Sequence, residues 1–135
     1  MPKTLLLFIL SWLLLSCASG PRATDEYQRV ISHIKVELRG KNLEERPTMV
    51  SVCTGFALTE KQVLDFFAHA ATIAEPEPNS RYNLLPCYSS GTARINNEEY
   101  KWTIRSGGIG EFYNDKDKII KICGKHCCTK VANIC

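Results

Sequence analysis

The chain has 135 residues, of which 44% are hydrophobic and 23% charged, and its formal net charge is +3. That length holds one domain, and the composition is ordinary for a globular protein. So small a charge gives counterion-driven binding to a polyanion little to draw on, which argues against nucleic acid as a partner.

Residues 1–16 do not read as fold. Lys3 supplies a positive start, and Leu5 to Leu15 is apolar apart from Ser11. Eleven helical residues reach about 16 Å, whereas a membrane span needs about 20 apolar residues. The run therefore has the length of a cleaved signal-peptide core, not of an anchor helix. Leu14-Leu15-Ser16-Cys17 follows, with an aliphatic residue at minus three and a small one at minus one. It resembles the lipobox of bacterial lipoproteins, although Leu15 is bulkier than the usual residue at its position. The resemblance implies that Cys17 becomes the first mature residue and carries lipid, palmitate included. Ala18, standing where an aspartate would retain the protein, implies an outer-membrane anchor facing the periplasm. The competing reading cleaves after Ala18 and leaves a soluble periplasmic or secreted protein. Residues 17–26, with Gly20-Pro21, have the composition of a tether. Residues 27–135 make the domain.

Arg29 to Leu38 alternates, with Val30, Ile34, Val36 and Leu38 on one parity, and predicts a strand. Arg39 to Pro47 is charged and reads as loop. Thr48 to Cys53 alternates weakly, as a second strand. The next element is a helix from about Glu60 to Ile73. Thr59 and Gln62 have capping-box spacing, Leu58 and Val63 stand at hydrophobic-staple positions, and Val63, Phe66, Phe67, Ala70 and Ala74 form one apolar face. Glu75-Pro76-Glu77-Pro78 stops it. From Cys87 the pattern changes to short strands: Cys87 to Ile95, a turn at Asn96-Asn97, then Tyr100, Trp102 and Ile104 alternating with Lys101, Thr103 and Arg105. Glu111 to Tyr113 and Lys118 to Cys123 make a last hairpin. The sum is α+β: one helix packed on an antiparallel sheet of four or five strands.

Setting Cys17 aside, the cysteines are Cys53, Cys87, Cys123, Cys127, Cys128 and Cys135. An even number in a short exported chain predicts a disulfide framework, of which six cysteines allow 15 versions. A Cys127–Cys128 bond would strain the peptide between them, so one of these reaches Cys123 and the other Cys135. Cys53 and Cys87 remain as a pair that staples the helix to the sheet. By the loop-entropy model such a bridge stabilises by roughly 3–4 kcal/mol. One alternative for Cys123, His126, Cys127 and Cys128 is zinc, which an oxidising compartment disfavours by pairing thiols first. A redox enzyme is a weaker alternative still, as no Cys-x-x-Cys opens a helix.

The remaining constellations are weak. Asp65 and His69 are four apart on the helix, with Ser89 or Ser90 available only in number as a nucleophile; such a pair is more often a surface contact. Gly107-Gly108-Ile109-Gly110 lacks the ending of a phosphate-binding loop and reads as a turn needing positive φ. Trp102 reads as a core anchor. Lys116, Lys118, Lys121, Lys125 and Lys130 read as a solvated basic tail, with anionic head groups as the sharper alternative. No catalytic, cofactor-binding or metal-ligating set emerges.

Cys-Thr-Gly-Phe-Ala-Leu-Thr from Cys53, Val-Leu-Asp-Phe-Phe from Val63, Pro-Cys-Tyr-Ser-Ser-Gly-Thr from Pro86 and Trp-Thr-Ile-Arg-Ser-Gly-Gly-Ile-Gly from Trp102 resemble small uncharacterised lipoproteins of proteobacteria. The resemblance covers residues 53–110 and the signal peptide, and implies an envelope location without an activity. The expectation is a lipid-anchored periplasmic binding protein, with an inhibitor or immunity protein as one concrete form. A structural accessory subunit of an envelope complex is the alternative, ahead of a cell-wall-acting enzyme. Its partners are the membrane, through lipid on Cys17, and an envelope protein.

Overall fold

The computed structural model of the protein describes residues 29–43, 47–74 and 85–135. The expected signal peptide, lipidation site Cys17, tether and proline stop at 75–78 lie outside the described residues. The strands are β1 (Ile31–Asn42), β2 (Ala71–Ile73), β3 (Cys87–Ile95), β4 (Glu98–Arg105), β5 (Ile109–Tyr113) and β6 (Lys118–Ile122). The helices are α1 (Pro47–Cys53), α2 (Glu60–His69) and α3 (Lys125–Cys128), with a 3₁₀ turn at Thr54–Phe56. All six strands join one antiparallel sheet in the order β1-β3-β4-β5-β6-β2. The fold is α+β, with β3 to β6 as a meander and the two earliest strands at its edges.

Helix α2 forms where local sequence dictates it. Thr59 Oγ1 accepts from the Gln62 amide at 3.2 Å, and Gln62 Oε1 accepts from the Thr59 amide at 2.9 Å, so both halves of the capping box are made. Leu58 and Val63, the staple pair, are both buried. Phe66 and Phe67 then meet Phe112 of β5, Phe67 edge-on at 4.9 Å and Phe66 stacked at 6.4 Å. A Cβ on Gly110 would stand 2.4 Å from Phe66 Cε1, so a side chain there would push the helix off the sheet. Trp102, 1% exposed, fills the middle of the same face and donates Nε1–H to the Thr92 carbonyl at 3.0 Å.

Four expectations differ. The helix ends at His69, and Ala71–Ile73 pairs with β6 as β2, which raises the strand number to six. Thr48 to Cys53 is helical, not extended. Pro47 suits a first helical turn, and within this helix only Cys53 is buried, so no alternating buried face existed to detect. Strand β1 runs on through the segment expected as loop, to Asn42. Register shifts between Ser32 and Lys35, Val36 and Leu38, and Leu38 and Lys41 break its parity, leaving Leu38 exposed while Ile34 and Val36 are half-buried, and Val30 stands exposed just before the strand. Lys121 is not part of a solvated tail. It sits on the inner face of β6, where its Nζ donates to the Ala70 carbonyl at 2.9 Å and lies 4.7 Å from the Phe67 ring centre.

Three disulfides close the described residues: Cys53–Cys87, Cys123–Cys127 and Cys128–Cys135. The first ties the end of α1 to the start of β3 across Cα atoms 4.9 Å apart. The C-terminal segment is not a loose tail, because Val131 and Ile134 are buried and Gln62 Nε2 on α2 donates to the Ala132 carbonyl at 3.0 Å.

Candidate functional site: the outward face of the sheet

The helices cover one face of the sheet, so alternation turns every second strand residue to the other. The cross-strand register aligns Lys35, Thr92, Lys101, Tyr113 and Lys118 in one row across β1, β3, β4, β5 and β6. A parallel row runs Leu38, Ser90, Thr103, Glu111 and Ile120, and a third runs Lys41, Tyr88, Arg105, Ile109 and Ile122. The face is therefore polar from β1 to β5 and apolar towards β6, where Ile109 and Ile120 are buried and Ile122 half-buried.

Charge on this face is uneven. With Arg94 and Glu99, which pair across β3 and β4, it carries six basic side chains (Lys35, Lys41, Arg94, Lys101, Arg105, Lys118) against Glu99 and Glu111. The carboxylates each face a cation, Glu99 with Arg94 at 3.9 Å and Glu111 with Lys118 at 3.7 Å. Both pairs are exposed and worth at most about 1 kcal/mol each, so they set local charge more than stability.

A hollow of about 360 Å³ opens along the Lys35–Lys118 row, lined by Thr92, Glu99, Tyr100, Lys101, Tyr113, Asn114 and Asp115. Its rim is held rigidly. Asn114 Oδ1 accepts from the amides of Lys116 and Asp117 at 2.9 and 2.8 Å, and its Nδ2 donates to the Glu99 carbonyl at 3.2 Å. The Tyr100 hydroxyl donates to Asp117 Oδ2 at 2.9 Å. Burial of the ring, then this bond to a carboxylate, hold the Tyr100 phenol above its ordinary value. The hollow thus offers a lysine, carboxylates, amide and hydroxyl groups beside two tyrosines, a surface suited to polar recognition.

The structure separates the residues proposed for chemistry. Asp65 pairs with Lys61 at 2.6 Å on the exposed side of α2, and His69 stands in the last turn, exposed. Ser89 lies on the inner face, fully buried, and holds backbone groups. Gly107 and Gly108 have φ of 95° and 85°, as the β4–β5 turn requires. Cys53, Cys87, Cys123, Cys127, Cys128 and Cys135 are all in disulfides, so none is a thiolate ligand in this state. Tyr113, Thr92 and Asn114 were not singled out from sequence. The signal for them was the complement of the Tyr100-Trp102-Ile104 alternation: once one parity is core, the other parity and its strand neighbours are surface.

No family model matches the chain, and no curated protein or solved structure matches it.

Proposed function

We propose that the protein is a lipid-anchored periplasmic binding protein whose outward sheet face recognises an acidic surface on another envelope protein. The observation that carries this is the row Lys35–Thr92–Lys101–Tyr113–Lys118, a basic stripe with an aromatic, laid across five hydrogen-bonded strands. A sheet locked by disulfides presents such a stripe with little ordering entropy left to lose on binding. The charge difference steers an acidic partner and sets register, and a tyrosine supplies rigid contact area. Inhibition of an incoming toxin is the concrete form of this reading.

The test is a crosslinked capture from envelope extract with the lipidated protein, compared with Lys35→Glu/Lys101→Glu. The expected result is one acidic partner held by the wild type and lost by the reversed face, with affinity falling as salt rises. Equal recovery by both proteins would remove the face from the mechanism. Recovery of a stoichiometric multi-protein assembly, insensitive to charge reversal, would identify an accessory subunit instead.

A further inference from the structure

The C-terminal segment places two disulfides against each other. Cys127 and Cys128 are adjacent in the chain, yet one bonds Cys123 and the other Cys135. The sulfurs of Cys123, Cys128 and Cys135 all lie within 4.8 Å of one another, so the end of each bridge faces the other bridge. The Cys128 and Cys135 sulfurs stand 3.4 and 3.8 Å from the Cys123 carbonyl oxygen. The β4–β5 turn seats the group: a Cβ on Gly108 would come 3.1 Å from Cys123 Cβ and 3.4 Å from Cys135 Sγ. Access is graded across the cluster. Cys135 is exposed, Cys128 is half-buried, and Cys123 and Cys127 are buried. Cys53–Cys87 links a different pair of elements, α1 and β3.

We propose that this cluster is a thiol–disulfide exchange site that takes two electrons from a dithiol at its exposed bridge and passes them to its buried one. One thiolate of the substrate dithiol attacks Cys135 Sγ, forming a mixed disulfide and breaking the Cys128–Cys135 bond. Cys128 leaves as a thiolate already beside Cys123, attacks Cys123 Sγ and breaks the Cys123–Cys127 bond. A Cys123–Cys128 bond forms, and Cys127 takes the electron pair and then a proton. The second substrate thiol resolves the mixed disulfide, leaving Cys135 as a thiol. The dithiol has become a disulfide, and the protein holds one bridge, Cys123–Cys128, and two thiols, Cys127 and Cys135. Exchange of this kind needs an accessible sulfur to attack and a thiolate held near the next bond, and the cluster supplies both. The substrate class is a vicinal or closely spaced dithiol on a protein or small molecule.

The direct test removes the entry cysteine. Cys135→Ser leaves one thiol among Cys123, Cys127 and Cys128, and acid-quenched alkylation with peptide mapping shows where it resides. Relay predicts that Cys127 carries roughly a tenth or more of the label, because exchange between neighbouring sulfurs equilibrates the thiol. A thiol confined to Cys128 overturns the proposal. The wild-type protein, partly reduced by dithiothreitol and quenched, gives a second measurement that does not depend on the variant folding. The first two-thiol species should be labelled at Cys127 and Cys135, with Cys123 bonded to Cys128. Labelling at Cys128 and Cys135 with Cys123–Cys127 intact overturns it equally.

Discussion

The Ser89 hydroxyl donates to the Phe56 carbonyl at 2.7 Å from a fully buried position on β3. The same oxygen accepts from the Gly40 amide at 3.2 Å and the Leu58 amide at 3.3 Å. One side chain thus ties β1, the 3₁₀ turn and the entry to α2 to β3. Replacing it by alanine leaves buried backbone groups without this partner, each costing about 1–3 kcal/mol if water does not reach it. Ser89→Ala is expected to lower stability by about 2–3 kcal/mol in urea unfolding, while the outward-facing Ser90→Ala stays within about 0.5 kcal/mol. Equal effects at the two sites would show that the bonds contribute nothing special.

Gly110 and Gly55 make a second contrast. A Cβ at Gly110 meets Phe66 Cε1 at 2.4 Å and Cζ at 2.8 Å, whereas one at Gly55 meets nothing within 4 Å. Gly110→Ala should cost about 1–3 kcal/mol through displacement of α2. Gly55→Ala should be close to neutral. Thermal unfolding of both variants decides it.

The Cys53–Cys87 bridge spans 34 residues, for which the loop-entropy model gives about 3–4 kcal/mol. The paired variant Cys53→Ala/Cys87→Ala should lose stability of that order. Its α2 and sheet should persist by circular dichroism, because the capping box and the Phe66, Phe67 and Phe112 cluster do not depend on the bridge. Loss of all secondary structure in native buffer would show that the bridge is a condition of folding.

Tyr100 gives a pH signature. Burial, with the bond to Asp117, raises its phenol in the folded state, so folding favours the protonated form. Its contribution is complete below the unfolded value near 10 and is lost as pH climbs through the higher folded value. Phenolate absorbance should show one tyrosine titrating late, and Asp117→Asn should move that titration down. A late component unchanged by the variant would assign the shift to burial alone.

Cys17→Ala should abolish palmitate labelling and shift the protein from the membrane fraction to the soluble one. Persistent membrane anchoring with lipid label would disprove the lipobox reading. This measurement is independent of the sheet-face and exchange tests.

The parts of the fold legible in sequence were those whose signals are local. Helix α2 announced itself because Thr59, Gln62, Leu58 and Val63 act within one turn. Strand β4 did so because its alternation has no interruption. Strand β1 was visible, but its burial pattern was not: bulges at three places reset which parity faces the core, and a bulge is a property of the pairing. Ser89 was legible only as a hydroxyl, since its partners Gly40, Phe56 and Leu58 are 31 to 49 positions away. Lys121 was misread because its lysine neighbours suggest solvent, while the Ala70 carbonyl and the Phe67 ring that receive it belong to a distant helix end. The outward face was legible as a surface, but the row that aligns Lys35 with Lys101, Tyr113 and Lys118 required the register of four strand pairings.

The sheet order carries a consequence for how the chain matures. Strands β1 and β2 precede the meander in the chain, so their partners β3 and β6 are made later. A chain emerging N-terminus first therefore has two orphan strands and a waiting thiol at Cys53 until Cys87 and Ile122 arrive. The capped helix α2 is the piece of structure it can rehearse in the meantime. Strand β1 can close as soon as β3 is made, whereas β2 must wait for β6, so truncation at β6 should release β2 while β1 keeps its partner.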